Sequence, residues 1–407
     1  MKIRFITTTI LLFLIISTNV SAKKYWIKNP FNQNLTDHSV TLSRAKVEKI
    51  MRKKIKENEV ILIKNRQGEI IPSQCDDLDN DGNWDELFFL IDIKANEKAR
   101  YNFTIIDSAS APTFTTRTSL RFSYRQEPYE PAHEALRLKS TESWKISQVF
   151  QMEGPALEND IVGFRNYYDA RNGMDIFGKR TSEMVLHKAG IEGQNYHALS
   201  DWGMDVLKVN NSLGAGSIAI GFNDNIYRLG LSEKSGFKLI TEGPLRTIIE
   251  LWHEDIFAGD RKYNLTQRIT IQAGEHFYRS KVTIDNLKGD ELFYTGIVDL
   301  HNLPQIELEN ENIKISATHG NQGTINELLG LGLLIPDKYF NRYKTAPKEG
   351  GGITYTHLAE LKFDKNNSVE HSFIVGWIYQ DEKFEDLDYF KSILKESALK
   401  LNKLKMK

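Results

Sequence analysis

Short runs of β-branched and aromatic residues, cut at close intervals by turn residues, constrain this chain more than any other feature of its sequence. Val60-Ile61-Leu62-Ile63 is followed by Asn65-Arg66-Gln67-Gly68, then by Leu87-Phe88-Phe89-Leu90-Ile91 and Tyr101-Asn102-Phe103-Thr104-Ile105-Ile106. Such runs read as strands and the clusters between them as hairpin connections, so 23–110 is expected to form a small β-sandwich. The pattern resumes at 216–222, 245–252, 263–271 and 278–284, where apolar and polar residues alternate as they do in half-buried antiparallel strands. A large antiparallel sandwich is expected over 118–407, and the fold class is all-β. Between the two units, Ser108-Ala109-Ser110-Ala111-Pro112 is the most linker-like stretch and sets a boundary near 108–118. Helix is expected over 386–405, where Phe390, Ile393, Leu394, Leu399 and Leu401 recur at near-helical spacing, and more briefly over 48–56.

With 407 residues, the chain exceeds the usual length of one domain, which agrees with two units. Lys and Arg number 53 against 54 Asp and Glu, so no overall charge draws it to nucleic acid or to an anionic membrane. At the N-terminus, Lys2 and Arg4 precede an apolar run over 10–16 and the small residues Val20-Ser21-Ala22, the pattern of a secretory leader cleaved after Ala22. That run is too short to cross roughly 30 Å of hydrocarbon, so a soluble periplasmic or secreted protein is expected. The single cysteine, Cys75, has no partner for an intramolecular disulfide and sits beside Asp76 and Asp77, which disfavour a thiolate.

No Gly-rich phosphate loop, His-Glu-x-x-His or Gly-x-Ser-x-Gly motif occurs, which removes nucleotide, zincin and α/β-hydrolase chemistry. Two stretches hold chemistry-bearing residues. The first is the loop Asp77-Leu78-Asp79-Asn80-Asp81-Gly82-Asn83-Trp84-Asp85, with carboxylates from Asp77, Asp79, Asp81 and Asp85 around a glycine turn. Alternating oxygen ligands suit a structural Ca2+, although Phe88 stands where an EF-hand has its bidentate glutamate. An Asp-Gly hairpin turn explains the same residues. The second stretch, 158–208, is rich in Arg, His, Tyr and Trp without a clean period, as a binding surface on loops and strand ends reads. Within it, Arg165 has the fork to bind a carboxylate and Trp202 a ring face on which a pyranose could stack. His197 offers an imidazole, the side chain suited to proton transfer, with Tyr196 and Asp201 as neighbours; His253, in Trp252-His253-Glu254-Asp255, is the second histidine to consider.

Ile71-Pro72-Ser73-Gln74 with the acidic loop and Leu87, Gly163-Phe164-Arg165, Tyr196-His197 through Asp201-Trp202-Gly203-Met204-Asp205-Val206-Leu207-Lys208, and Glu242-Gly243-Pro244-Leu245-Arg246 carry a resemblance. Together they resemble a secreted family catalogued as a domain of unknown function and encoded beside polysaccharide-degrading enzymes in marine and gut Bacteroidetes, over nearly the whole mature chain. The chain is similar in particular to the ulvan oligosaccharide dehydratases of that family. This implies removal of water from the non-reducing-end uronic acid of ulvan-type oligosaccharides, leaving a 4,5-unsaturated terminus. The later strands also look like the mutarotase-like supersandwich of several lyases, a likeness of fold that is silent about the reaction.

Such a reaction takes the C5 proton, α to the carboxylate, and expels the C4 hydroxyl. The carboxylate must be neutralised as charge develops, which points to Arg165, Arg246 and Lys208 as substrate-binding cations. His197, with His253 as the other candidate, is the expected base; Tyr167 or Tyr196 is the expected acid, and Trp202 supports the sugar. No cofactor is required. Two other readings stay open: a polysaccharide lyase, which performs the same elimination with a sugar as leaving group, and a noncatalytic glycan-binding protein.

Overall fold

The structure, a computed structural model, describes residues 22–191, 195–402 and 404–406. The expected leader lies, apart from Ala22, outside the described residues. Strands dominate, and their pairings among the described residues are antiparallel, so the fold is all-β.

The N-terminal unit is the expected small sandwich. Lys23–Lys28, Lys98–Asp107, Glu59–Lys64 and Ile70–Ile71 form one sheet, and Leu35–Ser43, Glu86–Ile93 and Ser73–Asp76 form the other. The strand period places Tyr25, Ile27, Ile61, Ile63, Tyr101 and Phe103 on the inner face of the first sheet, packed against Val40, Leu42, Leu87 and Phe89 of the second. Its helix lies at Arg44–Met51 and not over 48–56. Ser43 caps it by accepting from the Lys46 N–H, and Arg52 ends it in a left-handed conformation. Glu48 then turns its carboxylate onward to accept from the Ile55 N–H and Lys54 Nζ, which holds the following residues in an irregular loop.

The second unit sets a nine-stranded sheet against two five-stranded ones around a common core. Phe164 packs edge-on against Tyr278 at 4.8 Å, and a Cβ on Gly178 would come within 2.6 Å of Trp377, which shows how closely the sheets approach. The strand expected over 216–222 is confined to Ala219–Phe222. Gly216 sits at positive φ where a side chain would collide with Tyr278 and Phe373. The helix Leu387–Lys400, capped by Asp386, lays Phe390, Leu394 and Ala398 on the other face of the large sheet against Ile315, Leu334 and Ile374. It stops short of 405. Lys405–Met406 instead pairs with Lys23–Lys28, so a strand that follows the closing helix adds to the N-terminal sheet.

The two units meet along a polar seam. Gln74 Oε1 accepts from the Leu245 and Arg246 N–H groups at 2.8 and 2.9 Å, while its Nε2 donates to the Arg246 carbonyl, imitating a strand neighbour. Asp76 pairs with the Arg246 guanidinium and accepts from Thr241. Arg117, at the end of the linker, binds Asp37 of the first unit and Asp160 of the second.

Candidate functional site

Strand register decides which side chains can meet. Val162–Asn166 lies between Ala156–Asn159 and Met174–Lys179, with Gly203–Asp205 added beyond the latter. Arg165 stands opposite Asp175, and Phe177 opposite Asp205. Side chains alternate along each strand, so Arg165, Asp175, Phe177 and Asp205 share the face turned away from the nine-stranded sheet, whereas Phe164 and Gly178 face it.

On that face Arg165 is the centre. Its side chain has no exposure, and its Nη2 lies 2.6 Å from Asp175, 2.9 Å from Asp205 and 3.3 Å from Glu153. The rings of Tyr167, Phe177 and Tyr196 lie 5.0–5.3 Å from its guanidinium carbon, while Nε and Nη1 make no hydrogen bond among the described residues. Burial opposes its charge, yet the two aspartates outweigh it and hold its pKa well above the ordinary value. Asp205 is driven well above the usual carboxylate range, by burial first and by the charge of Asp175 second, against the pull of Arg165. Tyr167 donates its hydroxyl to Asp175 at 2.8 Å, and burial raises its pKa, as it does that of Tyr196.

His197 closes the cluster on its open side. Its ring is about half exposed, packs on Tyr196 at 4.4 Å, and brings Nδ1 to 3.5 Å from Asp205 Oδ2. The loop carrying it is tied down, because the Asp205 N–H donates to the Tyr196 carbonyl and the His197 N–H to Asn195 Oδ1. A buried carboxylate facing Nδ1 selects the tautomer in which Nδ1 carries the proton and Nε2 is the basic nitrogen. The partner is thus Asp205, eight positions along the chain, and not the neighbouring Asp201.

Arg165, Tyr167, Tyr196 and His197 therefore converge as expected, but other residues do not join them. Arg246 is engaged in the seam with Asp76 and Glu86, beneath Phe88, so the structure gives it a structural setting in place of the expected sugar contact. His253 is buried in the nine-stranded sheet, with Nδ1 3.1 Å from Ser232 Oγ and its pKa pushed well below the ordinary value by burial and Arg137. Trp202 is almost wholly buried, 6.2 Å from Phe177, and forms a wall rather than an open stacking face. Lys208 is exposed beyond Asp205. Arg165 itself is fully buried and its Nη2 is taken by Asp175, Asp205 and Glu153, so in place of the expected open clamp on a substrate acid it holds Asp205 in position.

Asp175, Glu153 and Arg171 are the members the sequence reading missed. Arg171 is partly exposed, pairs with Asp169 and lies 4.3 Å over the Tyr167 ring. The signal for Asp175 was present: a carboxylate beside the apolar Met174, Ile176 and Phe177 of one strand, matched by a guanidinium inside Val162–Asn166.

In the acidic loop, oxygens of Asp77, Asp79 and Asp85 lie within 4.8 Å of one another, while Asp81 turns aside to accept from the Asn83 N–H. Three of the four expected ligands are thus grouped. The carboxylates of Asp77, Asp79 and Asp85 also accept from the N–H groups of Asn80, Gly82, Asp81 and Leu78, which shapes the hairpin connection from Ser73–Asp76 to Glu86–Ile93.

Residues 27–405 match the profile of a domain of unknown function (DUF4861), and the chain belongs to that family. Uncharacterized protein P7 of Formosa agariphila is 24% identical over 230 residues, 55% of this chain and 54% of its own. The chain thus spans about half the length of the curated relative it matches. Two solved structures from Enterococcus faecalis, an alpha-mannosidase and a protein in glycosyl hydrolase family 38, cover 95% of this chain and 46% and 47% of theirs, at 9% and 8% identity and TM-scores of 0.45 and 0.46.

Proposed function

We propose that this member of the DUF4861 family is a carbohydrate-active dehydratase that eliminates water from the non-reducing-end uronic acid of ulvan-type oligosaccharides. The observation that carries the reading is the half-exposed imidazole of His197 backed by the buried Asp205, itself held by Arg165. Removal of a weakly acidic C5 proton needs a base held in a fixed orientation, and the contact of His197 with Asp205 supports that role. His197 Nε2 takes the proton. Nδ1–H keeps its contact with Asp205, whose carboxylate stabilises the imidazolium that forms. Tyr196, packed on the His197 ring, is placed to protonate the departing C4 hydroxyl; Tyr167, bound to Asp175, is not free to do so. The exposed Lys208 and the partly exposed Arg171, which also pairs with Asp169, are the cations proposed for the substrate carboxylate. No metal or cofactor enters these steps. A secreted or periplasmic location follows from the leader expected in the sequence.

The test is incubation with saturated uronic-acid oligosaccharides. A product lighter by one water, with the ultraviolet absorbance of a conjugated enoate, supports the proposal. Fragments of the chain would indicate a lyase, and no change would reduce the protein to a glycan binder. His197→Ala is expected to lower turnover by about 10²–10⁴-fold, and full activity in that variant would remove the base assigned here.

A further inference from the structure

On the N-terminal unit, remote in sequence from His197, a cavity of about 980 Å3 opens where the linker residues Thr113, Phe114 and Thr115 pass over the sandwich. Small-ligand sites fall at about 300–1,000 Å3, so the volume admits more than one sugar ring. Trp26 and Arg100 are cross-strand partners on the outward face of Lys23–Lys28 and Lys98–Asp107, opposite the face that buries Tyr25, Ile27, Tyr101 and Phe103. Trp26 is 38% exposed, a large amount for an indole, and Lys98 holds its ammonium 4.9 Å from the ring centroid.

The charges on the wall are only partly paired. Asp37 pairs with Arg117, whereas Asp92, Glu69 and Glu97 accept from the Asp37 N–H, Asn65 and the Lys94 N–H and have no cation partner among the described residues. The cations Arg66, Lys98 and Arg100 have no carboxylate partner among the described residues, and Arg100 Nε is buried without an acceptor. A buried donor without an acceptor marks the Arg100 guanidinium as incompletely satisfied by the protein itself. An aromatic face flanked by unpaired cations suits a ligand with an apolar ring face and an anionic substituent.

We propose that this cavity is a second, noncatalytic binding site for an anionic saccharide, in which Trp26 stacks on a sugar ring and Arg100, with Lys98 and Arg66, binds its carboxylate or sulfate. The saccharide class rests on the function proposed above; the need for an anion rests on the cavity alone.

Titration calorimetry on the full chain separates the two. The probes are a glucuronic-acid oligosaccharide, the same oligosaccharide carboxyl-reduced to a neutral sugar, and inorganic sulfate, each added to the His197→Ala variant so that turnover plays no part. Expected is binding of the acidic oligosaccharide that weakens at least tenfold in Trp26→Ala and in Arg100→Met, is weaker at high salt, and is largely lost for the neutral sugar. Because Arg100 is partly buried, Lys98→Met, at an exposed position, serves as the check against misfolding and is expected to weaken binding in the same sense. Equal affinity for the neutral sugar, sulfate binding as tightly as the oligosaccharide, or unchanged binding in all three variants would overturn the site. Turnover in the Trp26→Ala variant of the otherwise native chain is expected to persist on short substrates, so loss of this site and failure of the dehydratase reading give different results.

Discussion

At the residue scale, the buried pair Asp175 and Asp205 governs the base role proposed for His197. Only an ionised Asp205 stabilises the imidazolium, and burial together with the charge of Asp175 raises its pKa well above the ordinary range. Activity should therefore fall with acidification at a higher pH than an ordinary aspartate would dictate. Removing the neighbouring charge lowers that pKa, so Asp175→Asn is expected to move the acid limb of the pH–rate profile to lower pH; a stationary limb would mean that Asp205 does not govern it. Arg165 and His197 could be singled out in the sequence because their residue types are chemically conspicuous. Their connection through Asp205 could not, since it depends on the register that places Phe177 opposite Asp205.

At the scale of elements, the seam explains part of what made the sequence recognisable. The segments Ile71-Pro72-Ser73-Gln74 and Glu242-Gly243-Pro244-Leu245-Arg246 bind each other across the two units rather than a substrate. Arg246→Met would leave Asp76 buried beside Gln74 and Thr241 without its cation, a loss of about 3–5 kcal/mol for a broken buried pair. Thermal unfolding should register this as a large drop in melting temperature, while turnover per folded molecule stays near the native value. A selective loss of turnover at full stability would instead restore Arg246 to the site. The strand runs were legible because their period of two is local. The early stop of the closing helix was not, because pairing of Lys405–Met406 with Lys23–Lys28 joins segments far apart in sequence.

For the whole molecule, burial of neutral histidines links stability to pH. His38, His253 and His371 are 1–2% exposed; burial lowers His38 and His371 to about 4 and His253 well below its ordinary value. Unfolded, each would titrate near 6.5, so between pH 6.5 and about 4 the unfolded chain binds protons that the folded chain refuses. Stability is therefore expected to be retained above pH 6.5 and to fall as pH drops through this window, by up to about 3 kcal/mol per site. Denaturant midpoints measured across it would show the slope, and His371→Gln, which can still donate to the Gly216 carbonyl, should flatten it; an unchanged slope would exclude His371 as a contributor. The sequence by itself determined the all-β class, the two-unit layout and the residue types available for chemistry, because strand alternation and turn residues are written in neighbouring positions. Only the tertiary structure decided which arginine holds the site and which the seam, because charge pairing depends on distances in space between strands far apart in the chain.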